Sequence, residues 1–293
     1  ETSLNPIIES ATYQSIVSLE RTQLLEKLKD SDIRQTIIEE VEAVTDPTLN
    51  LVKAFSRMFV LGDPPQYEQG PDQTLTAIAK ANGVHPIEVA IDAMIADDGK
   101  GILYMAFLNY AFGDLEPSLE MMKHPHTIPG LADGGAHVGL ICDASFPTTM
   151  LTHWTRDRSR GEKLPIEFAV KFYTKDSAEA VGLLDRGVLA PGYRADINVI
   201  DHENLSLHPP KMEYDLPAGG KRLNQLADGY VATIVKGEVT YQNGIATGAL
   251  PGRLIRGAKS SPEALQSAWG FAFSIRASAL AVLYQARPLG NMS

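Results

Sequence analysis

The chain has 293 residues, of which 44% are hydrophobic and 21% are charged, and its formal net charge at pH 7 is −10. This length allows one or two domains, each with a sizeable buried core. The excess of acidic side chains, 36 Asp and Glu against 26 Lys and Arg, argues against nucleic acid or an anionic membrane as the main partner.

Residues 1–60 are predicted to be mainly helical. Ser31 is a candidate N-cap, and Pro47 is expected to close the segment that follows it. The short run RMFVL at 57–61 is ended by GDPP, which favours a buried strand over a helix. The apolar stripe that predicts the capped helix recurs at helical spacing, at Ile33, Ile37, Ile38, Val41 and Val44.

Two further helices have clear start and stop signals. Asp72 is the predicted cap of the first helix, which ends at Gly83. Pro86 opens the second helix, which ends at the Asp-Gly pair 98–99. The apolar run GILYMAF at 101–107 then predicts another strand.

More elements of both kinds are expected up to about residue 186. The stretch around Leu131 is a strand candidate, Pro165 opens a helix, and another helix is expected to start at Thr174 and stop at Gly182. Because strands alternate with helices, this part of the chain is predicted to be α/β, built from parallel βα units.

Residues 187–257 are predicted to form a small β-rich domain. A Pro-Gly turn at 191–192 precedes the apolar run Ile197–Ile200, and Asn243-Gly244 is a strong hairpin signal. Helical periodicity is not evident in this part of the sequence. We therefore expect antiparallel strands and no long helix between 197 and 241.

The last segment, residues 258–293, is an atypical tail. It is rich in Ala, Ser and Leu, and its apolar residues favour no single face of a helix.

Asp133 is the first candidate for chemistry, because it lies in the small-residue run GLADGGAHVG at 130–139. An aspartate beside glycine is most often a turn residue. An aspartate after an apolar strand end, followed by Gly-Gly and a histidine, is also how a βα loop presents a catalytic carboxylate at the C-terminal face of a barrel. The residues alone leave both interpretations open.

The histidines give no complete metal site by spacing. His124 and His126 have the His-x-His spacing, but Pro125 disfavours a central strand and a solvated loop is the preferred interpretation. HExxH and CxxC motifs are absent from the sequence, as are the common phosphate-loop, dinucleotide and serine-hydrolase motifs. Cys142 is the single cysteine, which excludes an intramolecular disulfide and suits a reducing cytoplasm.

Arg156 is the second candidate, in the charged stretch THWTRDRSRGEK at 152–163. A solvated loop and an anion-recognition site are both open, since an arginine fork suits a substrate carboxylate.

Taken together, four segments resemble the amidohydrolase superfamily, and within it the N-acyl-D-amino-acid deacylases, or D-aminoacylases. The likeness runs from about Asn5 to Gly257. The resemblance implies that residues 1–186 are the C-terminal portion of a TIM-like (β/α)8 metal-dependent hydrolase barrel and that 187–257 are its small β-domain. The segments that carry the likeness are GLADGGAHVG, THWTRDR, DRGVLAPGYRADINVID and TGALPGRLIRG.

The resemblance also implies roles for three residues. Asp133 would be the catalytic aspartate at the end of the last barrel strand, beside a zinc ion and in contact with it. It would carry a proton from the attacking water to the leaving amine. His137 and Arg156 would line the substrate pocket.

The chain departs from the family pattern because the HxH of the first barrel strand and the histidines of the middle strands are missing from it. We therefore expect this chain to be the C-terminal part of the enzyme. When isolated, it should be inactive and bind no stoichiometric metal. Its incomplete barrel should make it prone to self-association. The preferred function is hydrolysis of the amide bond of an N-acyl-D-amino acid. The alternatives are a cyclic-amide or dipeptide hydrolase of the same superfamily, and a non-catalytic chain that binds or assembles.

Overall fold

The computed structural model of the chain describes residues 5–45, 53–106, 108–130 and 137–263. The chain divides into two compact units, and each is considered by itself. The predictions made for Pro47, Leu131, Asp133 and most of the 258–293 tail concern residues outside the described ranges. The first unit contains residues 1–120, 135–142 and 209–224, and the second contains residues 121–134, 143–208 and 225–293.

Three helices open the first unit: α1 (Ala11–Ile16), α2 (Arg21–Lys29) and α3 (Ser31–Ala43). The predicted N-cap at Ser31 is wrong by one residue, because the carboxylate of Asp30 accepts hydrogen bonds from the first free N–H groups of α3. The predicted apolar stripe is confirmed where it packs inward, at Ile37, Ile38 and Val41, which are all buried.

Glu40 joins α3 to the start of α1. Its carboxylate accepts the Ser10 hydroxyl at 2.5 Å, the Thr12 N–H at 2.9 Å and the Thr12 hydroxyl at 2.8 Å. Ser10 is fully buried and is itself the N-cap of α1. One carboxylate therefore satisfies the free donors of a short helix that has no buried residue of its own.

Two helices in the middle of the first unit form an antiparallel pair, α4 (Leu75–Asn82) and α5 (Pro86–Gly99). The hydroxyl of Thr74 caps α4 by accepting the Ala77 N–H, so the predicted cap at Asp72 is wrong by two residues. Gly83 ends α4 in the left-handed region at φ 68°, as predicted. The predicted start of α5 at Pro86 is also confirmed.

Both predicted strands of this region form, as β1 (Met58–Val60) and β2 (Leu103–Met105), but they pair antiparallel. This differs from the predicted parallel arrangement. Parallel strands need one helical return between them, whereas two helices, α4 and α5, lie between β1 and β2. A path through two helices reverses the chain three times, before α4, between α4 and α5, and before β2, so the second strand runs opposite to the first.

The core of the first unit is built from α2, α3, α4, α5 and the start of β1. Burial of its apolar side chains removes surface from water at about 25 cal/mol per Å². The members with the least exposure are Ile7, Ile37, Leu75, Ile87, Ala90 and Ile91, each 0% exposed.

The second unit contains a run of helical segments. They include α7 (Phe146–Thr149), α8 (Ile166–Lys171) and α9 (Ser177–Ala180), and α6 (Glu116–Lys123) spans the point where the first unit's main segment ends. Two π-helical segments continue these helices: Met150–Asp157 after α7 and Phe172–Asp176 between α8 and α9. None of the helices in the described ranges is long and apolar enough to cross a membrane.

The predicted helix start at Pro165 is confirmed, because Pro165 is the residue before α8. The separate start at Thr174 is wrong. The helix runs on through the second π-helical segment, and the Thr174 hydroxyl bonds to the Val170 carbonyl one turn earlier at 2.7 Å. The predicted stop is confirmed at Gly182, which has φ 73°.

Within the described residues 197–263 there are eight strands, and every pair of them is antiparallel. The only helical piece among the described residues between 197 and 241 is a three-residue 3-10 turn at Pro217–Gly219. The absence of a long helix was predicted. The strands are β3 (Ile197–Ile200), β4 (Ser206–Leu207), β5 (Lys211–Leu216), β6 (Gly220–Asn224), β7 (Ala227–Asp228), β8 (Tyr230–Val235), β9 (Glu238–Gln242) and β10 (Ile245–Ala246).

These strands form three separate sheets. The largest, in the second unit, has the order β10-β9-β8-β3, and β4 pairs with β7 in the same unit. The hairpin between β9 and β10 turns at Asn243-Gly244, with φ 48° and 77°, which confirms the predicted two-residue turn. The third sheet is the β5–β6 ribbon, residues 211–224, which belongs to the first unit.

Candidate functional site

Of the predicted active-site loop at 130–139, the structure describes Gly130 and residues 137–139, and Asp133 lies outside the described ranges. His137 is exposed and has φ 52°, in the left-handed region. Its carbonyl accepts hydrogen bonds from the N–H groups of Leu140 at 2.8 Å and Ile141 at 3.0 Å. These bonds close a tight turn directly after the predicted loop.

The β5–β6 ribbon bonds to this turn within the first unit. The N–H of Leu223 on β6 donates to the carbonyl of Val138, with a nitrogen–oxygen distance of 2.6 Å. Across the ribbon, Arg222 forms a two-pronged ion pair with Asp215 at 2.8 and 2.6 Å. This pair raises the pKa of Arg222 and lowers the pKa of Asp215, mainly through the hydrogen bonds between them.

Arg156 lies at the end of the first π-helical segment, in the second unit. Its Nε and Nη2 donate to the two carboxylate oxygens of Asp157 at 2.6 and 2.8 Å, and this hydrogen bonding raises the pKa of the guanidinium. The three remaining donors reach the loop after β3, where they bond to the carbonyls of His202, Glu203 and Leu205.

A guanidinium has five N–H donors, and those of Arg156 are all used by these partners. In this conformation Arg156 has no donor left for a substrate carboxylate. The guanidinium therefore joins the end of the π-helical segment to the loop that follows β3.

His202 reinforces the same contact from the other side. Its Nε2 lies 2.9 Å from the Leu151 carbonyl and 3.1 Å from the Thr155 hydroxyl, both in the π-helical segment. The Thr155 hydroxyl also bonds to the Leu151 carbonyl at 2.5 Å. The extra residue in each turn of a π-helix often marks a functional site, and here it exposes a carbonyl that a side chain from outside the helix reaches.

Arg158 is a second arginine of the THWTRDR stretch with a structural position. Its side chain is only 2% exposed, and its guanidinium lies 4.8 Å from the ring centre of Trp154. Nη1 donates to the Glu162 carbonyl at 2.8 Å. A buried cation over an indole ring is a favourable electrostatic contact, so this residue holds the chain after the π-helical segment.

A metal site cannot be assembled from the described residues alone, because they hold no group of three or more His, Cys, Asp or Glu side chains with suitable placement. His124 and His126 are both exposed, with ring centres 5.6 Å apart, in a loop after α6, as the solvated-loop interpretation predicts. A catalytic zinc typically takes three protein ligands.

Sequence reasoning missed two of the residues that define this geometry. His202 has no metal-ligand spacing to another histidine that would single it out, and Leu223 carries no signal as an apolar strand residue. The turn signal 217–219 could have predicted the ribbon, but not its bond to Val138, because that contact joins segments 85 positions apart.

Comparison with known proteins places these segments in a family. The amidohydrolase family matches residues 4–241 of the chain. The 5-methylthioadenosine/S-adenosylhomocysteine deaminases of two strains of Desulfitobacterium hafniense are each 30% identical to this chain over 112 residues. The aligned region covers 35% of this chain and only 25% of each deaminase. No solved structure matches the chain.

The named relatives are deaminases, and they do not assign the chain to the D-aminoacylase branch. The family itself is shown, because its match spans well over half of the 293 residues. The chain belongs to the amidohydrolase family.

Proposed function

We propose that the chain is part of a metal-dependent hydrolase of a non-peptide C–N bond, and that its substrate is an N-acyl-D-amino acid. The family match over residues 4–241 carries the hydrolase part of this proposal. The resemblance of GLADGGAHVG and THWTRDR to the N-acyl-D-amino-acid deacylases supports the choice of substrate. The single cysteine is in keeping with a cytoplasmic setting.

In this proposal Asp133 accepts a proton from the attacking water and returns it to the amine nitrogen as the amide bond breaks. Proton transfer by a positioned carboxylate is typically worth about 10²- to 10⁴-fold in rate. Zinc is the proposed cofactor, and when bound it makes the water a better nucleophile. Since the described residues do not form a ligand set, we assign no further step to the metal.

His137 is the proposed substrate contact, because its imidazole is exposed at the turn that follows the aspartate loop. Arg156 remains a candidate for the substrate carboxylate on one condition. The guanidinium would first have to leave Asp157 and three backbone carbonyls.

The second candidate function is deamination of a nucleoside-type substrate. The similarity of 112 residues to the two 5-methylthioadenosine/S-adenosylhomocysteine deaminases favours it. Both reactions hydrolyse a C–N bond, but deamination releases ammonia from a ring carbon, whereas deacylation releases a carboxylic acid and an amino acid.

A substrate panel separates the candidates. The complete enzyme that contains this chain is assayed with N-acetyl-D-methionine, N-acetyl-L-methionine, hydantoin and 5′-methylthioadenosine, with zinc added in each case. We expect release of methionine from the D-isomer alone. Ammonia release from 5′-methylthioadenosine would replace the deacylase proposal with the deaminase, and turnover of hydantoin would favour a cyclic-amide hydrolase.

A further inference from the structure

The turn at His137 has two features that bear on its use as a binding residue. The residue is not glycine, yet its φ is 52°, and its side chain is exposed. The left-handed region is unfavourable for residues with a Cβ atom, although histidine enters it more often than most. Such conformations persist where the surroundings fix them, and they cluster at functional sites.

The surroundings that fix His137 lie on both sides of its backbone. On one side, its own carbonyl accepts the N–H groups of Leu140 and Ile141. On the other side, the next carbonyl, that of Val138, accepts the Leu223 N–H at 2.6 Å. The second bond comes from the β5–β6 ribbon and not from the loop itself.

The ribbon is well suited to hold a neighbouring segment. Its two strands are joined by the Arg222–Asp215 ion pair and by the Asn224 amide, which donates to Glu213 at 2.9 Å. In an antiparallel pair an N–H points either toward the partner strand or away from it. The Leu223 N–H points away from β5, so its loss removes the bond to Val138 without removing a bond of the ribbon.

We propose that the β5–β6 ribbon holds His137 in the conformation that contacts substrate, and that Leu223 is the positioning residue through which it acts. This inference rests on the proposed function, which supplies the ligand class, an N-acyl amino acid. It assigns to an otherwise structural hairpin the control of a binding residue far away in sequence.

The first test replaces the strained residue, with His137→Gly. Glycine adopts positive φ without strain, so the melting temperature should rise by about 2–4 °C. In the complete enzyme that contains this chain, the KM for N-acetyl-D-methionine should rise about tenfold or more, with a smaller change in kcat, because a polar contact to the substrate is lost. A gain in stability with a loss of binding is the signature of a residue strained for function.

Asn243→Gly is the matched control, because Asn243 also has positive φ, 48°, in the β9–β10 turn. Because asparagine tolerates this region well, the melting temperature should rise less than in His137→Gly, and KM should not change. An unchanged KM in His137→Gly, or a lower melting temperature, would overturn the proposal.

The second test addresses Leu223. Leu223→Pro removes the N–H that bonds to Val138, whereas Leu223→Ala keeps it and removes only the side chain. Hydrogen exchange of the Leu140 and Ile141 amides should accelerate about threefold to tenfold in the proline variant alone, as expected for the loss of one net hydrogen bond. Equal exchange in the two variants would refute the role of Leu223.

These tests separate the inference from the function on which it rests. Exchange rates and melting temperatures need no turnover, so they decide whether the ribbon holds the turn. Absence of hydrolysis by the unaltered complete enzyme would overturn the proposed function alone. If Leu223→Pro loses protection throughout β8 and β9, it has unfolded, and His137→Gly then decides the matter.

Discussion

The turn that begins at His137 and the π-helical segment that ends near Arg156 both carry a predicted substrate-binding residue, and they differ in how that residue is used. At the turn, hydrogen bonds fix the backbone and the imidazole is exposed. In the π-helical segment, hydrogen bonds occupy the side chain itself, through five donors to Asp157 and three carbonyls. Backbone fixation leaves a side chain available for a ligand, whereas side-chain fixation does not.

The comparison teaches that a charge pattern alone cannot separate a ligand-binding arginine from a structural one. Both uses require a planar donor fork that faces oxygen atoms. For Arg156 the oxygens are supplied by the protein.

The largest effect is expected from Asp133→Asn, which tests the segment next to the His137 turn. An amide cannot accept the proton of the attacking water, so kcat should fall about 10²- to 10⁴-fold while substrate binding is kept. Steady-state kinetics on an active preparation measure both quantities. Asp97→Asn is the control, since Asp97 has φ 46° and asparagine tolerates that region well. Near-unchanged kcat in Asp133→Asn would show a structural aspartate.

The next largest effect is expected on stability, at Arg156 in the π-helical segment. Arg156→Ala should lower the free energy of unfolding by about 2–3 kcal/mol, because Asp157 and three carbonyls lose a charged donor whose side chain is 29% exposed. Arg156→Lys should recover only part of this, since an ammonium cannot form the two-pronged pair.

Denaturant titration measures the loss, and Arg253→Ala serves as the control at an exposed arginine. A large rise in KM for Arg156→Ala, with stability unchanged, would reverse the comparison and make Arg156 the substrate anchor.

A smaller effect is expected at a turn that has positive φ and no proposed function. Gly244→Ala should destabilise the β9–β10 hairpin by about 1 kcal/mol, because Gly244 has φ 77° and a Cβ atom is unfavourable there even though no atom lies within 4 Å of its position. Thermal unfolding measures the change. If Gly244→Ala also raised the KM for substrate, an effect on binding would no longer set the His137 turn apart from other turns with positive φ.

The smallest effect is expected at Glu40, a structural contact that lies outside both regions. Hydrogen bonds from the Ser10 hydroxyl and the Thr12 N–H lower the pKa of this carboxyl. The ionised form is therefore favoured in the folded state. The stability it contributes is present above the ordinary value of 4.5 and is lost as the pH falls through the lowered value.

Glu40→Gln should flatten the fall in stability as the pH drops below the ordinary pKa of 4.5, because the variant has no carboxylate to protonate. Unfolding measured across this range gives the result, with Glu39→Gln as the control on the exposed neighbour. An unchanged slope would mean that the contact contributes nothing at equilibrium.

Local chemistry in the sequence determined much of the secondary structure. The apolar stripe of α3, the glycine stops at Gly83 and Gly182, and the Asn243-Gly244 hairpin were all predicted because each depends on side chains within a few residues. The helix starts that were wrong, at Ser31 and Asp72, differ from the observed caps by one or two residues, since several neighbouring polar side chains can all accept the same N–H groups.

Only the tertiary structure decided the direction of β2 and the partners of the candidate site residues. The antiparallel β1–β2 pair follows from the packing of α4 against α5, which no short window of sequence contains. The hydrogen bonds of Arg156 and the Leu223–Val138 bond join segments about 50 and 85 residues apart. Such contacts form only when the fold brings distant segments together. The sequence therefore shows which donors and acceptors are present, but not which of them pair.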